Sequence, residues 1–343
     1  MTFLQILHKL SDHENLTPDE AAFALHEILK GDVPESQISA FLFGMRSKGE
    51  TIDELTAFVK VMRDVSVKLD VDTTGAVDLC GTGGDHSGTF NISTAAMFVA
   101  AGAGVPVLKH GNRSISSTSG SYDVLESLGG VAALPPDKVK QCFEQTGMAF
   151  MFAPLFHPAM KYVMPARKSL AMRTFFNILG PLLNPAGVRR QVIGAYSGDV
   201  ARDMIRILAN LETDYAITLH AHDGLDEISL TSLTDTYELK HSMSSEAVRF
   251  DPAEIGYNKY ALDDFKGGDS VVNAEILNSI FEGRSTQAQH DIVEINAAFG
   301  IFVSGKADTL KDAKLLAEES IRSGAAKKSV TAFATCTQDL AAS

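Results

Sequence analysis

The sequence predicts an α/β protein with a small all-helical domain at its start and a larger α/β domain built on a mostly parallel central sheet. Three observations predict it. Residues 1 to about 70 carry helical periodicity only. From Val77 onward, short apolar runs alternate with helical segments, the pattern of a parallel sheet covered on both faces. Two of those runs, 76–80 (AVDLC) and 105–108 (VPVL), each lead into a polar, glycine-punctuated loop and then a helix.

The helical start is read from its caps. Thr17-Pro18-Asp19-Glu20 is a capping box with proline at the first helical position, and the helix it opens stops at Gly31. A second helix carries Ile38, Phe41, Leu42 and Met45 as far as Gly49. Thr51-Ile52-Asp53-Glu54 caps a third, with Leu55, Phe58, Val59 and Met62 on its apolar side. Three short-looped helices are too few to be stable alone, so their apolar faces are expected to pack on the rest of the chain or on a second subunit.

In the α/β part, 136–146 reads as a helix and 148–152 (MAFMF) as a strand. A basic run follows over 161–173, helical past Pro165. Residues 177–185 (NILGPLLNP) read as a loop or short turn, because two prolines and Gly180 forbid a long helix. Strands are expected at 191–196 and 215–221 with a helix at 200–211 between them. Weaker β signals fall at 228–230 and 236–239, and helices close the chain at 271–281, 291–303 and 308–323. Residues 324–343 give no clear signal, and a frayed end is expected there.

The whole chain limits its partners. With 343 residues, 45% hydrophobic and 21% charged, it has the composition of an ordinary globular protein. A formal net charge of −13 leaves no basic excess for a nucleic acid or an acidic membrane surface. Cys80, Cys142 and Cys336 are odd in number and far apart, which favours reduced thiols over a disulfide framework or a zinc site. No run reaches the ~20 apolar residues of a membrane span, and the early charges of the N-terminal stretch do not suit a signal peptide. A cytoplasmic protein is expected.

The chemistry concentrates in the two loops. The first supplies Gly81, Gly83, Gly84 and Gly88 with Thr82, Asp85, Ser87 and Thr89, and Ser93 and Thr94 open the helix behind it. The second supplies Lys109, His110, Asn112, Arg113 and a series of serines ending at Ser121. Loops of this kind aim backbone N–H groups and the positive end of a helix dipole at their ligand. Glycines permit close approach, and hydroxyls and two cations add donors. The ligand that fits is a polyanion such as phosphate.

Asp226-Glu227 follows the expected strand at 215–221, at the sheet edge where α/β proteins place their sites. Adjacent acids in a loop can be merely solvated. Beside a pyrophosphate they suit Mg²⁺, which is held by one or two carboxylates plus phosphate oxygens, with the Ser93 hydroxyl as a further ligand. Arg167 is either part of a solvated basic face or a bidentate partner for a substrate carboxylate. His110 and His157 have neither a spaced metal partner nor a nearby nucleophile, so structural or packing roles weigh as much as catalysis. No GxSxG, HExxH or Walker A lysine occurs.

Taken together, DLCGTGGD (78–85), FNIST (90–94), KHGNRSISS (109–117), RTFFNILGPLLNP (173–185), LDEIS (225–229), FKGGD (265–269) and INAA (295–298) resemble the anthranilate phosphoribosyltransferase family. The resemblance covers nearly the whole chain. It implies a nucleoside-phosphorylase-like phosphoribosyltransferase fold, with the helical domain made of 1–70 plus a segment returning near 165–185, and the α/β domain of 71–164 and 186–343. It implies a homodimer joined through the helical parts. It implies that Gly81, Gly84, Asp85, Thr89, Asn91, Ser93, Thr94, Lys109, Ser117 and Ser121 hold phosphoribosyl pyrophosphate. Ser93, Asp226 and Glu227 would hold Mg²⁺, two ions per site, while Gly81, His110, Asn112 and Arg167 would meet anthranilate. Thr118, Tyr122 and Phe156 depart from the residues that the resemblance leads one to expect, and Tyr122 and Phe156 would shape the acceptor channel. A pyrimidine nucleoside phosphorylase is the nearest rival, and Asp226-Glu227 argues against it because that class works on free phosphate without such a metal pair. A nucleic-acid-binding relative is opposed by the charge.

Overall fold

The structure, a computed structural model, describes residues 1–113, 119–241 and 243–343. It opens with four helices, α1 (Phe3–Ser11), α2 (Pro18–Lys30), α3 (Glu35–Lys48) and α4 (Ile52–Asp64). Three are the helices expected. The additional one, α1, grows from the amphipathic first residues, where Thr2 and Gln5 form a capping box. Thr17 with Glu20 and Thr51 with Glu54 cap α2 and α4 in the same way. Glu54 also pins the bundle from inside. It is fully buried, pairs with Lys48 at 2.7 Å and accepts the Leu16 N–H at 2.7 Å.

The α/β part follows as β1 (Asp78–Gly81), α5 (Ile92–Gly102), β2 (Val107–Gly111), α6 (Ser121–Ser127), α7 (Pro136–Thr146), β3 (Met148–Phe152), α8 (Ala153–Phe156), α9 (Met164–Leu170) and α10 (Phe176–Leu179). It continues with β4 (Arg190–Gly194), α11 (Gly198–Ala209), β5 (Tyr215–Ala221), β6 (Thr234–Lys240), β7 (Met243–Ser244), β8 (Val248–Phe250), α12 (Ser270–Phe281), α13 (Gln287–Ser304), α14 (Leu310–Arg322) and α15 (Ala325–Ala342). β1, β4 and β5 pair in parallel in that order, and β6 closes antiparallel on β5. β2 and β3 form a parallel pair beside them, joined to the larger sheet by the Val77–Val107 bridge. The sheet is mostly parallel, as expected.

Strand alternation divides the interior between two cores. Leu79, Val192, Ile217 and Leu219 face a core shared with α5, α13, α14 and α15. Ile193 and Ala216 face the other, which contains α11 and the N-terminal bundle. Val163, Ala166, Phe175, Phe176 and Leu179 belong to this second core, and the Phe175 ring stacks on Phe58 at 4.4 Å. The bundle thus packs on the rest of the chain rather than standing free.

Two expectations are corrected. Residues 228–230 are not a strand, because the Ile228 backbone is bonded on both sides by the Asn296 carboxamide. Residues 324–343 are not frayed: α15 buries Val330, Phe333, Cys336 and Leu340, whose spacing follows one helical face among small residues. Among the described residues no helix is long and apolar enough to cross a membrane.

Candidate active site

The parallel strands deliver their loops to one edge. β1 ends at Gly81 and the first loop runs on to α5, with Gly83, Gly84 and Gly88 at φ of +64°, +75° and +68°. These left-handed conformations are why glycine recurs there. The loop is fastened at its start, where Thr82 N–H donates to the Gly194 carbonyl and its Oγ1 accepts the Tyr196 N–H at 3.0 Å.

Asp226 and Glu227 turn into this loop. Asp226 Oδ2 accepts the Gly83 N–H at 2.8 Å, and Glu227 Oε1 accepts the Ser93 N–H at 3.1 Å. Two further glycines make room for Asp226. A Cβ on Gly81 would lie 2.5 Å from its Oδ2, and one on Gly194 would lie 1.6 Å from its carbonyl oxygen. The acids are braced from behind. Asp223 accepts the Ser229 and Thr231 hydroxyls, and Asn296 grips Ile228.

Lys109 completes the cluster. Its side chain is buried, donating to the Leu79 carbonyl and to Ser93 Oγ at 3.3 Å. Burial holds both acids well above the usual carboxylate range. After burial the largest causes are the Asp85 charge for Asp226 and the Asp226 charge for Glu227, while Lys109 pulls Glu227 the other way. Crowded negative charge of this kind is relieved by a cation. Among the described residues no three His, Cys, Asp or Glu side chains form a ready cage.

The second loop is tied to the same frame. Asp78, buried in β1, accepts the His110 N–H at 3.3 Å and Asn184 Nδ2–H at 2.8 Å, and Asn184 also donates to the Leu108 carbonyl. Asn91 links the two loops by donating to the Ser119 carbonyl at 3.2 Å. Its own Oδ1 accepts from Asn273 at 2.9 Å. A strap from Phe265 to Gly268 runs antiparallel to the first loop, with Phe90 N–H on the Phe265 carbonyl and Gly267 N–H on the Gly88 carbonyl. Asn112 is exposed, and its carbonyl accepts the Ser121 hydroxyl at 3.3 Å. Ser117 and Thr118 lie outside the described residues.

The remaining candidates are neutral or unpaired. The rings of His110 and His157 meet edge-on at 5.2 Å. Burial, and for His110 its neighbour His157, pushes them down to about 3 and about 4, so both stay uncharged at neutral pH. His110 Nε2 has no hydrogen-bond partner among the described residues. Arg167, half-buried on α9, lies 5.2 Å over the Phe176 ring and makes no ion pair among the described residues.

The structure bonds Asp226 to the first loop and Ser93 to both Glu227 and Lys109, and it sets Gly81 against Asp226. Asp85 and Thr89 bond to Ser87 within the loop, and Ser121 bonds to the Asn112 carbonyl of the second loop. Thr94 is buried in the first turn of α5. Phe156 is fully buried in the main core, whereas Tyr122 stacks beside Phe152 under the Arg113 guanidinium at 4.2 Å. Sequence reasoning did not single out Asn184, Asn273, Asn296 or Asp223. The motifs NILGPLLNP and INAA contain two of them, but only the fold reveals their partners. An open groove of about 750 Å³ by Gln145, Thr146, Lys327 and Cys336 shares no residue with this cluster and bears no comparable chemistry.

With the site's geometry established, its relatives are informative. A family described as "Glycosyl transferase family, a/b domain" matches residues 73–327, and "Glycosyl transferase family, helical bundle domain" matches residues 4–66. The chain is 45% identical over 339 residues to an anthranilate phosphoribosyltransferase of Salinibacter ruber, covering 97% of this chain and 98% of that one. It is 42% identical to the Azorhizobium caulinodans enzyme of the same name, with 99% and 98% covered. Among solved structures, anthranilate phosphoribosyltransferase of Thermus thermophilus superposes with a TM-score of 0.90 at 34% identity, covering 97% and 99%. The Saccharomyces cerevisiae enzyme in complex with PRPP and Mg matches at 0.90 and 27% identity, covering 98% of each chain. The yeast enzyme in complex with 4-fluoroanthranilate matches at 0.88 and 26%, again over 98% of each.

Proposed function

The chain belongs to the anthranilate phosphoribosyltransferase family, and from that premise we propose how its residues divide the work. The reaction transfers the 5-phosphoribosyl group of phosphoribosyl pyrophosphate to the amine of anthranilate, releasing pyrophosphate, in tryptophan biosynthesis. One observation carries the reading. Gly83 with Asp226, and Ser93 with Glu227 and Lys109, converge from three strand ends through direct hydrogen bonds, an arrangement that supports a site for a metal-bound diphosphate.

The first loop and the start of α5 offer backbone N–H groups to the donor's phosphates, with Gly81, Gly84, Asp85, Thr89, Asn91, Ser93, Thr94 and Ser121 around them, and Ser117 assigned by the resemblance alone. Lys109 places a fixed ammonium beside the departing oxygens. Mg²⁺, when bound, supplies the charge that lets pyrophosphate leave, and Ser93, Asp226 and Glu227 would hold it, as two ions. The carboxylate crowding at Asp226 and Glu227 supports that assignment. The C1–O electrons leave with pyrophosphate, and the anthranilate nitrogen then forms the new bond to C1 and passes its proton to the released pyrophosphate or to water. A neutral arylamine needs no strong protein base, which agrees with His110 and His157 being held uncharged. Positioning and preorganised charge carry the rate. Arg167 receives the anthranilate carboxylate, with Gly81, His110 and Asn112 along its path.

Val163, Ala166, Phe175 and Phe176 packing in the core of the bundle supports a domain division of 1–70 with 165–185 against the remainder, although α11 of the α/β part also enters that core. Leu4 and Phe43, each 56% exposed on α1 and α3, support a homodimer through the helical part, which a sedimentation mass of twice 36.8 kDa checks. Three cysteines with no disulfide between them favour a cytoplasmic location, which fractionation of the cell checks. The central test mixes protein, anthranilate, phosphoribosyl pyrophosphate and Mg²⁺. Anthranilate fluorescence should fall only with all present. Phosphate-dependent cleavage of thymidine instead would sink the assignment.

A further inference from the structure

Four consecutive residues meet three different parts of the molecule. Arg173 Nη2 donates to the Gly84 carbonyl at 2.7 Å, and its guanidinium lies 4.1 Å over the Tyr196 ring. Thr174 is buried, and its N–H donates to Asn177 Oδ1. Phe175 sits in the core of the N-terminal bundle, 4.4 Å from Phe58 and 6.2 Å from Phe41. Phe176 carries the Arg167 guanidinium on its face.

Arg173 therefore extends from the acceptor-side segment to the loop on the donor side. The loop needs such a hold. Gly83, Gly84 and Gly88 give it unusual freedom, and His86 also sits at a left-handed φ of +58°. Its fastenings are the Thr82 bonds at its start, the Asp226 contact at Gly83 and the strap at Gly88 and Phe90. Between Gly83 and Gly88, among the described residues, the loop's backbone takes one hydrogen bond from outside, that of Arg173. Tyr196 in turn bonds through its N–H to Thr82, so the ring that supports the guanidinium is itself fixed to the loop's first residues.

We propose that Arg173 is a positioning residue, which holds Gly84 and the glycine loop in their diphosphate-receiving form. This rests on the functional reading above. The charged donor and the flat stack both matter, so lysine replaces the residue only in part. Gly84 favours this arrangement, since a Cβ there would crowd Arg173 Nη2 at 3.3 Å.

Steady-state kinetics and thermal melting test it. Arg173→Ala should raise the KM for phosphoribosyl pyrophosphate by about three- to tenfold, the range of one ordinary hydrogen bond at an exposed side chain. The KM for anthranilate should move less than about twofold at saturating donor, and the melting temperature should stay near wild type because Arg173 is exposed. Arg173→Lys should lie between, and millimolar guanidinium should recover part of the donor affinity of Arg173→Ala. Tyr196→Leu should weaken donor binding by about twofold alone and add little to Arg173→Ala, since the two act as one unit. An unchanged donor KM in a well-folded Arg173→Ala, equal changes in both KM values, or additive effects of the two variants would overturn the proposal. Should Arg173→Ala melt early, Arg173→Gln carries the same comparison. Wild type inactive on both substrates would instead remove the functional reading, so the two failures are distinguishable.

Discussion

Gly83 bonds to Asp226, and Ser93 bonds to Glu227 and Lys109, whereas His110, His157 and Arg167 bring two uncharged rings and a guanidinium that has no ionic partner among the described residues. The first group is a network of charges held under tension by burial. The second is a surface of shape around that one cation. On the proposed assignment the contrast matches the two substrates: a diphosphate would be recognised by charge and a metal, a flat aromatic acid by packing and one guanidinium. It also explains why the donor side can be strained and the acceptor side need not be. Crowded carboxylates gain from a cation, while neutral histidines gain from remaining dry.

The largest test of this contrast is Lys109→Met. Lys109 is the buried cation that the structure sets against Ser93 and pulls against the Glu227 charge. Its loss should lower kcat/KM for phosphoribosyl pyrophosphate by about 10²–10³-fold, the range found when one preorganised charge-stabilising donor is removed. Circular dichroism should confirm the fold. A loss below tenfold would mean that Mg²⁺ and the backbone alone manage the diphosphate, and the charged half would then depend less on protein cations than the contrast requires.

Arg167→Ala comes next and sharpens the other half. It should raise the KM for anthranilate at least tenfold, about 1.4 kcal/mol, with the donor KM within about twofold. Equal shifts in both would show that Arg167 acts on the site as a whole and that its carboxylate role is wrong.

These two halves differed in how much of them could be read from residues alone. Loop glycines, Ser93 and the Asp226-Glu227 pair were legible because each sits beside a strand or helix end whose chemistry is local. The capping boxes at Thr17 and Thr51 and the helix Pro136–Thr146 were legible for the same reason. What joins the parts was not. Asp78 meets Asn184 across 106 residues and Asn91 meets Asn273 across 182. No period or spacing encodes a hydrogen bond between strand ends so far apart. The α15 helix was missed for a different reason: its four large apolar residues are diluted by alanine, serine and threonine, so its amphipathic face is faint until α5 and α7 are in place against it.

The smallest effect concerns pH and the histidine pair. His157 is 6% exposed, and burial pushes it from its usual 6.5 down to about 4. A histidine with a depressed folded pKa is protonated first in the unfolded chain, so the unfolded state binds more protons between about 6.5 and 4. The stability due to keeping it neutral is complete above that window and is lost as pH falls through it. His110, pushed to about 3, adds a second proton to the same slope. His157→Gln cannot titrate, so the fall in unfolding free energy between pH 7 and pH 5 should be smaller than in wild type by about 1–2 kcal/mol, at up to ~1.4 kcal/mol per pH unit for one proton. Urea unfolding at the two pH values measures it. An identical slope in the variant would show that His157 is already hydrated or paired in solution, and the acceptor side would then share more of the donor side's polar character than the contrast allows.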